Sequence, residues 1–199
     1  PFPFVYAQID PGSFPLGAWR ECMRLALNAA RLPLWAGDAG GEDSELLVEQ
    51  LRHRLLTYRG IQAAPDQILV TAGAQNALYL LAQLFAPARP RVAIEDPGYP
   101  EARNAFALSG ASLVPIPVDA EGMQVEAIPP DCRLAYLTPS HQFPTTATLS
   151  LARRQALIAR ARETGLLIIE DDYESERNFL RPDLPPIRAL APAESCVYV

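Results

Sequence analysis

From residue 68 onward, short apolar or β-branched runs alternate with stretches of helical periodicity, and this alternation constrains the fold more than any other feature. The runs at residues 68–71, 91–95, 112–117, 134–138, 166–170 and 196–199 predict strands, and the patterns at 75–85, 100–108 and 151–164 predict helices. The run Leu166, Leu167, Ile168, Ile169 carries no interleaved polar residue, so it suits a strand buried on both faces of a mainly parallel sheet. The expected class is α/β, three-layer, with a mainly parallel sheet and helices on both faces. In such sheets ligands sit at the carboxyl ends of the strands.

Upstream, Ser13, Pro15 and the shared face of Trp19, Met23, Ala26 and Leu27 predict a capped amphipathic helix that packs on the core. Leu47, Leu51 and Leu55, interleaved with Glu49, Arg52 and Arg54, predict a second helix, capped by Asp43 or Ser44 and ended by the Arg59-Gly60 turn. The 199 residues suffice for one large domain with a substantial core. No stretch reaches the roughly 20 apolar residues of a membrane span. A formal charge of −6 without basic clusters argues against this segment gripping nucleic acid. Cys22, Cys132 and Cys196 are scattered and odd in number, which suits a reducing cytoplasm better than a disulfide framework or a metal site. No signal-peptide pattern is present, and an opening at Pro1 rather than Met leads us to expect that part of the amino end lies outside this sequence. The Pro-rich stretch 181–192 is expected to cross the surface before the last strand.

Four places could carry chemistry. Gly73, Ala74 and Gln75 stand between a predicted strand and a helix, where free N–H groups favour an anion such as phosphate; an ordinary turn is the plainer alternative. Tyr99 follows Pro97-Gly98 and could stack on a planar heterocycle or simply rest against its loop. His141 and Gln142, in a loop bracketed by Pro139 and Pro144, offer hydrogen bonds to a ring hydroxyl or a substrate. Glu170, Asp171 and Asp172 end an apolar run; a carboxylate there can keep a pyridine nitrogen protonated, and Mg²⁺ is the competing ligand. The glycine turn lacks the Lys-Ser/Thr of a nucleotide loop, which weakens the Mg²⁺ option.

Taken in order, these elements resemble the aminotransferase class I/II domain, fold type I of the pyridoxal-phosphate proteins. The strings TPSHQFPT (138–145), IEDDYESE (169–176), EDPGYPEAR (95–103) and RGI (59–61) look most like MocR/PdxR regulators of the GntR family. The resemblance covers nearly the whole chain. It implies pyridoxal 5'-phosphate as cofactor, with Gly73, Ala74 and Gln75 on the phosphate, Tyr99 on the ring and Asp171 on the pyridine nitrogen. It further implies Tyr173 on the phenolic oxygen, with His141 or Gln142 nearby. An amine or amino-acid effector, a homodimer, and DNA contact only through an upstream winged-helix domain are implied too. No metal is implied. Residues 1–199 would then be a partial domain, with the winged helix and the small carboxyl-terminal domain outside it.

All 17 basic residues are arginine, which stays protonated and cannot form an imine. By resemblance, the Schiff-base lysine is expected beyond Val199, so no catalytic residue is assigned in this chain. Three departures from the family pattern bear on the substrate mouth: Thr146 replaces the family's glycine, residues 34–43 contain an apparent insertion, and Leu47-Val48 stands where the family has Leu-Arg. The alternatives are a fragment of a free-standing aminotransferase acting on an amino acid, and a degenerate α/β module that binds no cofactor.

Overall fold

In the computed structural model, which describes residues 10–37, 41–173 and 184–199, the apolar runs pair as one six-stranded sheet. The strands are β1 (Arg91–Asp96), β2 (Ser112–Asp119), β3 (Gly122–Met123), β4 (Leu134–Leu137), β5 (Leu167–Glu170) and β6 (Cys196–Tyr198). The helices are α1 (Leu16–Ala26), α2 (Leu32–Trp35), α3 (Glu45–Gln50), α4 (Ala74–Phe85), α5 (Pro100–Leu108), α6 (Leu151–Thr164) and α7 (Ile187–Leu190). Strand order is β3-β2-β1-β4-β5-β6, parallel throughout except where β2 meets the short β3. From β1 the chain goes first to β2 on one side and later to β4 on the other. That reversal opens a crevice at the carboxyl ends of β1 and β4, the usual place for a ligand.

Alternation along each strand sorts the core onto two faces. Val92, Ile94, Leu134, Tyr136 and Ile169 pack with Leu78 and Ala82 of α4 and with Ala102 and Phe106 of α5. Their neighbours Ala93, Ala135, Leu137 and Ile168 pack instead with Leu157, Ile158 and Ala161 of α6. Three layers result, as expected. Helix α6 starts where the Ser150 hydroxyl accepts from the Arg153 N–H and stops at Gly165, whose φ of 70° suits glycine. Burying Leu157 alone contributes about 2 kcal/mol.

The chain divides into two compact units, Pro1–Ser44 and Glu45–Val199. Within the first, the Trp35 indole N–H donates to Ala26 O at 3.2 Å, folding α2 back on α1. Pro15 rather than Ser13 precedes α1, because the Ser13 hydroxyl donates to Asp10 O instead. Trp19 and Met23 are exposed, not packed in a core. Residues 38–40 of the loop at 34–43 lie outside the described residues.

In the second unit, α3 continues as a π-helix over Leu51–Leu56 and the chain turns at Gly60, as expected, with φ 71°. The predicted strand at 68–71 does not form among the described residues. Ile68, Leu69 and Thr71 instead line a cavity of about 810 Å³ that also includes Cys196, Val197 and Tyr198 of β6. β3 and α7 are additions to the predicted elements. Of the Pro-rich stretch, residues 181–183 lie outside the described residues, and Ile187 is fully buried rather than on the surface. No helix of the described residues is long and apolar enough to cross a membrane.

Arg154 ties these layers together from a fully buried position on α6. Its guanidinium donates to the carbonyl oxygens of Leu149, Pro139 and Pro185 at 3.0, 3.0 and 3.1 Å, and lies 3.7 Å from Glu170. Glu170 in turn accepts the backbone N–H groups of Ile187 and Arg188, both at 2.8 Å, which anchors α7. Arg154→Met should therefore lower stability by about 3–5 kcal/mol in urea titrations, since it leaves Glu170 buried without its cation. Adding Glu170→Gln to that variant should recover part of the loss.

Candidate functional site

Three loops and one helix start meet at the carboxyl end of the sheet. The first piece is the start of α4, where Gly73 adopts φ 101°, a region closed to most side chains. Helix geometry leaves the N–H groups of this first turn without intrahelical acceptors. The Thr71 hydroxyl and the Asn76 side chain brace the turn, donating to Gly73 O and accepting from Ala72 N–H.

Tyr99 comes next, carried on the turn that links β1 to α5. A Cβ placed on Gly98 would sit 2.3 Å from Glu95 O, so only glycine lets the chain double back so closely. Pro100 then opens α5, where a missing N–H costs nothing. The Tyr99 ring meets Phe143 edge to face at 5.7 Å between centroids, and its hydroxyl accepts from Gln75 Nε2 at 3.3 Å. Gln75 and Tyr99 are thus brought together.

The loop after β4 holds His141 and Gln142, which differ sharply. Gln142 is 1% exposed and its amide is occupied within the loop: Nε2 donates to Pro97 O and Phe143 O, and Oε1 accepts from Thr145 N and Oγ1. It fastens the loop to the Tyr99 turn. His141, by contrast, has a buried Nδ1 without a partner among the described residues, and its ring centre lies 6.5 Å from that of Tyr173. Thr146 closes the loop at φ 62°, the left-handed conformation that glycine would take without strain.

Alternation also separates the three acids after β5. Glu170 continues the parity of Ile168 and turns toward Arg154 on the α6 side. Asp171 continues the parity of Ile169, and its Oδ2 accepts from Tyr136 OH at 2.7 Å on the side of α4 and α5. Burial pushes the Asp171 carboxyl up, against the pull of the Tyr136 hydroxyl. Asp172 forms a buried ion pair with Arg59 and accepts from Ser140 Oγ and Tyr198 OH. The acids therefore do not converge as a cation site would require; among the described residues no three His, Cys, Asp or Glu side chains gather to hold a metal. Glu174, Ser175 and Glu176 lie outside the described residues.

Tyr136, Glu95, Ser140 and Arg59 were not singled out by the sequence, and Asp172 was singled out only as one of three acids. Tyr136 carried a faint signal as the lone polar group within β4. Glu95 is buried at the end of β1, where its Oε2 accepts from Thr138 N at 3.1 Å and Oγ1 at 2.8 Å. Burial is the main reason its carboxyl is pushed up to about 7.

Residues 44–173 match the family model described as aminotransferase class I and II. The HTH-type transcriptional regulator TauR of Rhodobacter capsulatus is 39% identical over 198 residues, 100% of this chain and 41% of TauR. The HTH-type pyridoxine biosynthesis transcriptional regulator PdxR of Corynebacterium glutamicum is 39% identical over 184 residues, 92% of this chain and 39% of PdxR. The chain thus spans about two fifths of the length of these relatives. Among solved structures, the kynurenine aminotransferase of Pyrococcus horikoshii, determined in complex with PMP, superposes with a TM-score of 0.83 at 27% identity. That match covers 95% of this chain and 49% of the other.

Two substitutions check the geometry. Thr146→Gly should raise stability by about 1 kcal/mol in thermal or urea unfolding, because it removes a side chain from left-handed backbone. Glu95→Gln reads the buried carboxyl. A folded-state value of about 7 against an ordinary 4.5 means that Glu95 stabilises the fold in its acid form. That contribution is complete below the ordinary value and is lost as pH rises through 7. Wild type should therefore lose stability relative to Glu95→Gln by up to about 3 kcal/mol between mildly acidic and mildly basic buffer.

Proposed function

Because the chain belongs to the aminotransferase class I and II family, we propose that it binds pyridoxal 5'-phosphate as the effector-sensing, aminotransferase-like part of a MocR-type transcription regulator. The observation that carries the cofactor reading is Asp171: a buried carboxylate held by Tyr136 at the end of β5, on the same face of the sheet as α4 and the Tyr99 turn. A regulator is favoured because identity to TauR reaches 39% over the full chain.

The side chains fit the cofactor. A buried Nδ1 on His141 without a partner offers one more polar contact beside Tyr173, and the glycine at the α4 start lets an anion approach the backbone. Gly73, Ala74 and Gln75 would hold the phosphate, Tyr99 would lie against the ring, and Asp171 would keep the ring nitrogen protonated. Tyr173 and His141 would bond the ring hydroxyl. Gln142 would act one step back, holding the Tyr99 turn. The bound cofactor supplies an electron sink for the carbon next to an amine.

For the whole protein, the proposed partners are an amine or amino-acid effector, a second copy of the chain, and DNA engaged by a separate domain. The full-length protein should bind pyridoxamine 5'-phosphate, read by absorbance or fluorescence titration, and Asp171→Asn should weaken it by about 10- to 100-fold, the worth of one charge-assisted hydrogen bond. Cofactor-dependent DNA retardation would support the regulator. Steady-state transamination without DNA binding would replace it with a free-standing aminotransferase.

A further inference from the structure

Asp172 draws together four segments that are far apart in the chain. Its carboxylate accepts hydrogen bonds from Arg59 Nη2, from Ser140 Oγ and, at 2.6 Å, from Tyr198 OH. Its backbone N–H donates to Val199 O at 3.1 Å. The Arg59–Asp172 ion pair is buried, with side chains 5% and 0% exposed. The loop after α3, the loop after β4 and the ends of β5 and β6 therefore share one carboxylate.

Two of these residues stand beside residues of the proposed site. Ser140 precedes His141, and Asp172 lies between Asp171 and Tyr173. Both aspartates are buried, so little water screens one charge from the other.

We propose that Asp172, held by Arg59, Ser140 and Tyr198, positions Asp171 and sets the charge that Asp171 presents to a bound pyridine nitrogen. This rests on the pyridoxal-phosphate reading given above. The groups facing Asp171 are Tyr136 from β4, Glu95 from β1, the Tyr173 backbone N–H and Asp172 itself. Those around Asp172 are Arg59, Ser140, Tyr198, Glu170 and Arg154. Burial raises the Asp171 carboxyl most, the Tyr136 hydroxyl opposes that rise, and the Asp172 charge adds to it. Neutralising Asp172 lets Asp171 ionise at lower pH. Stripping a hydroxyl donor from Asp172 while keeping its charge does the reverse, because less of that charge is compensated locally.

The test is the pH profile of pyridoxamine 5'-phosphate binding to the full-length protein. This ligand carries an amine in place of the aldehyde and so binds without a covalent link. Wild type should lose affinity on the acid side as Asp171 takes up a proton, and that loss should vanish in Asp171→Asn. In Asp172→Asn the acid limb should move down by about one pH unit, the size expected from removing a nearby like charge. In Tyr198→Phe it should move up. Should Asp172→Asn fail to fold by circular dichroism, the direction of the Tyr198→Phe shift decides alone. Limbs that coincide with wild type in the folded variants overturn the role of Asp172 and leave the cofactor reading standing. No binding by wild type, or a limb unchanged in Asp171→Asn, overturns both.

Discussion

Glu95, Glu170, Asp171 and Asp172 are all buried, and a carboxylate withdrawn from water is costly unless donors or cations meet it. Every one of the four is met by groups from elsewhere in the chain. Thr138 meets Glu95, the first turn of α7 meets Glu170, Tyr136 meets Asp171, and Arg59, Ser140 and Tyr198 meet Asp172. The loop after β4 and the short α7 are thereby fixed to the sheet. The carboxyl edge is organised by polar satisfaction, whereas the middle of the sheet is organised by apolar burial.

Strand alternation turns this edge into a site with distinct sides. Successive residues of a strand point to opposite faces, so three consecutive acids cannot serve one purpose. Asp171 falls on the side of α4, α5 and Tyr99, while Glu170 falls on the side of Arg154 and α6. The strand that fixes their spacing has Ile168 and Ile169 at 0% exposure, one on each face, so its register cannot slip without reversing every one of these assignments.

Much of this was legible in the sequence because it rests on local pattern. Apolar runs announced β1, β4 and β5, and helical patterning announced α5 and α6 with their observed bounds. Tyr99 and Asp171 stood out for a related reason, since each follows closely on such a strand, whereas the Gly73 turn was placed after a strand at 68–71 that does not form among the described residues. What escaped depends on contacts between distant residues. Arg59 and Asp172 are 113 positions apart, and no periodicity links them. Residues 68–71 have strand composition yet pair with no strand among the described residues, so propensity alone does not make a ladder. Met23 and Trp19 have a helical stripe yet remain exposed, so amphipathic spacing shows which face could be buried and not that it is.

Counting hydrogen-bond partners separates residues that serve the fold from those that face a ligand, even when sequence treats them alike. His141 and Gln142 are neighbours in one loop and were indistinguishable by type and position. Gln142 spends both ends of its amide on Pro97, Phe143 and Thr145, so nothing remains for a ligand without breaking the loop. His141 keeps a buried ring nitrogen with no partner among the described residues. Leaving such a group unpaired costs about 1–3 kcal/mol, and a structure that otherwise satisfies its buried carboxylates so thoroughly carries that cost at the edge of the crevice. The unpaired nitrogen belongs to a ring beside Tyr173, so on the proposed cofactor reading His141 rather than Gln142 is the loop's contact with a ligand.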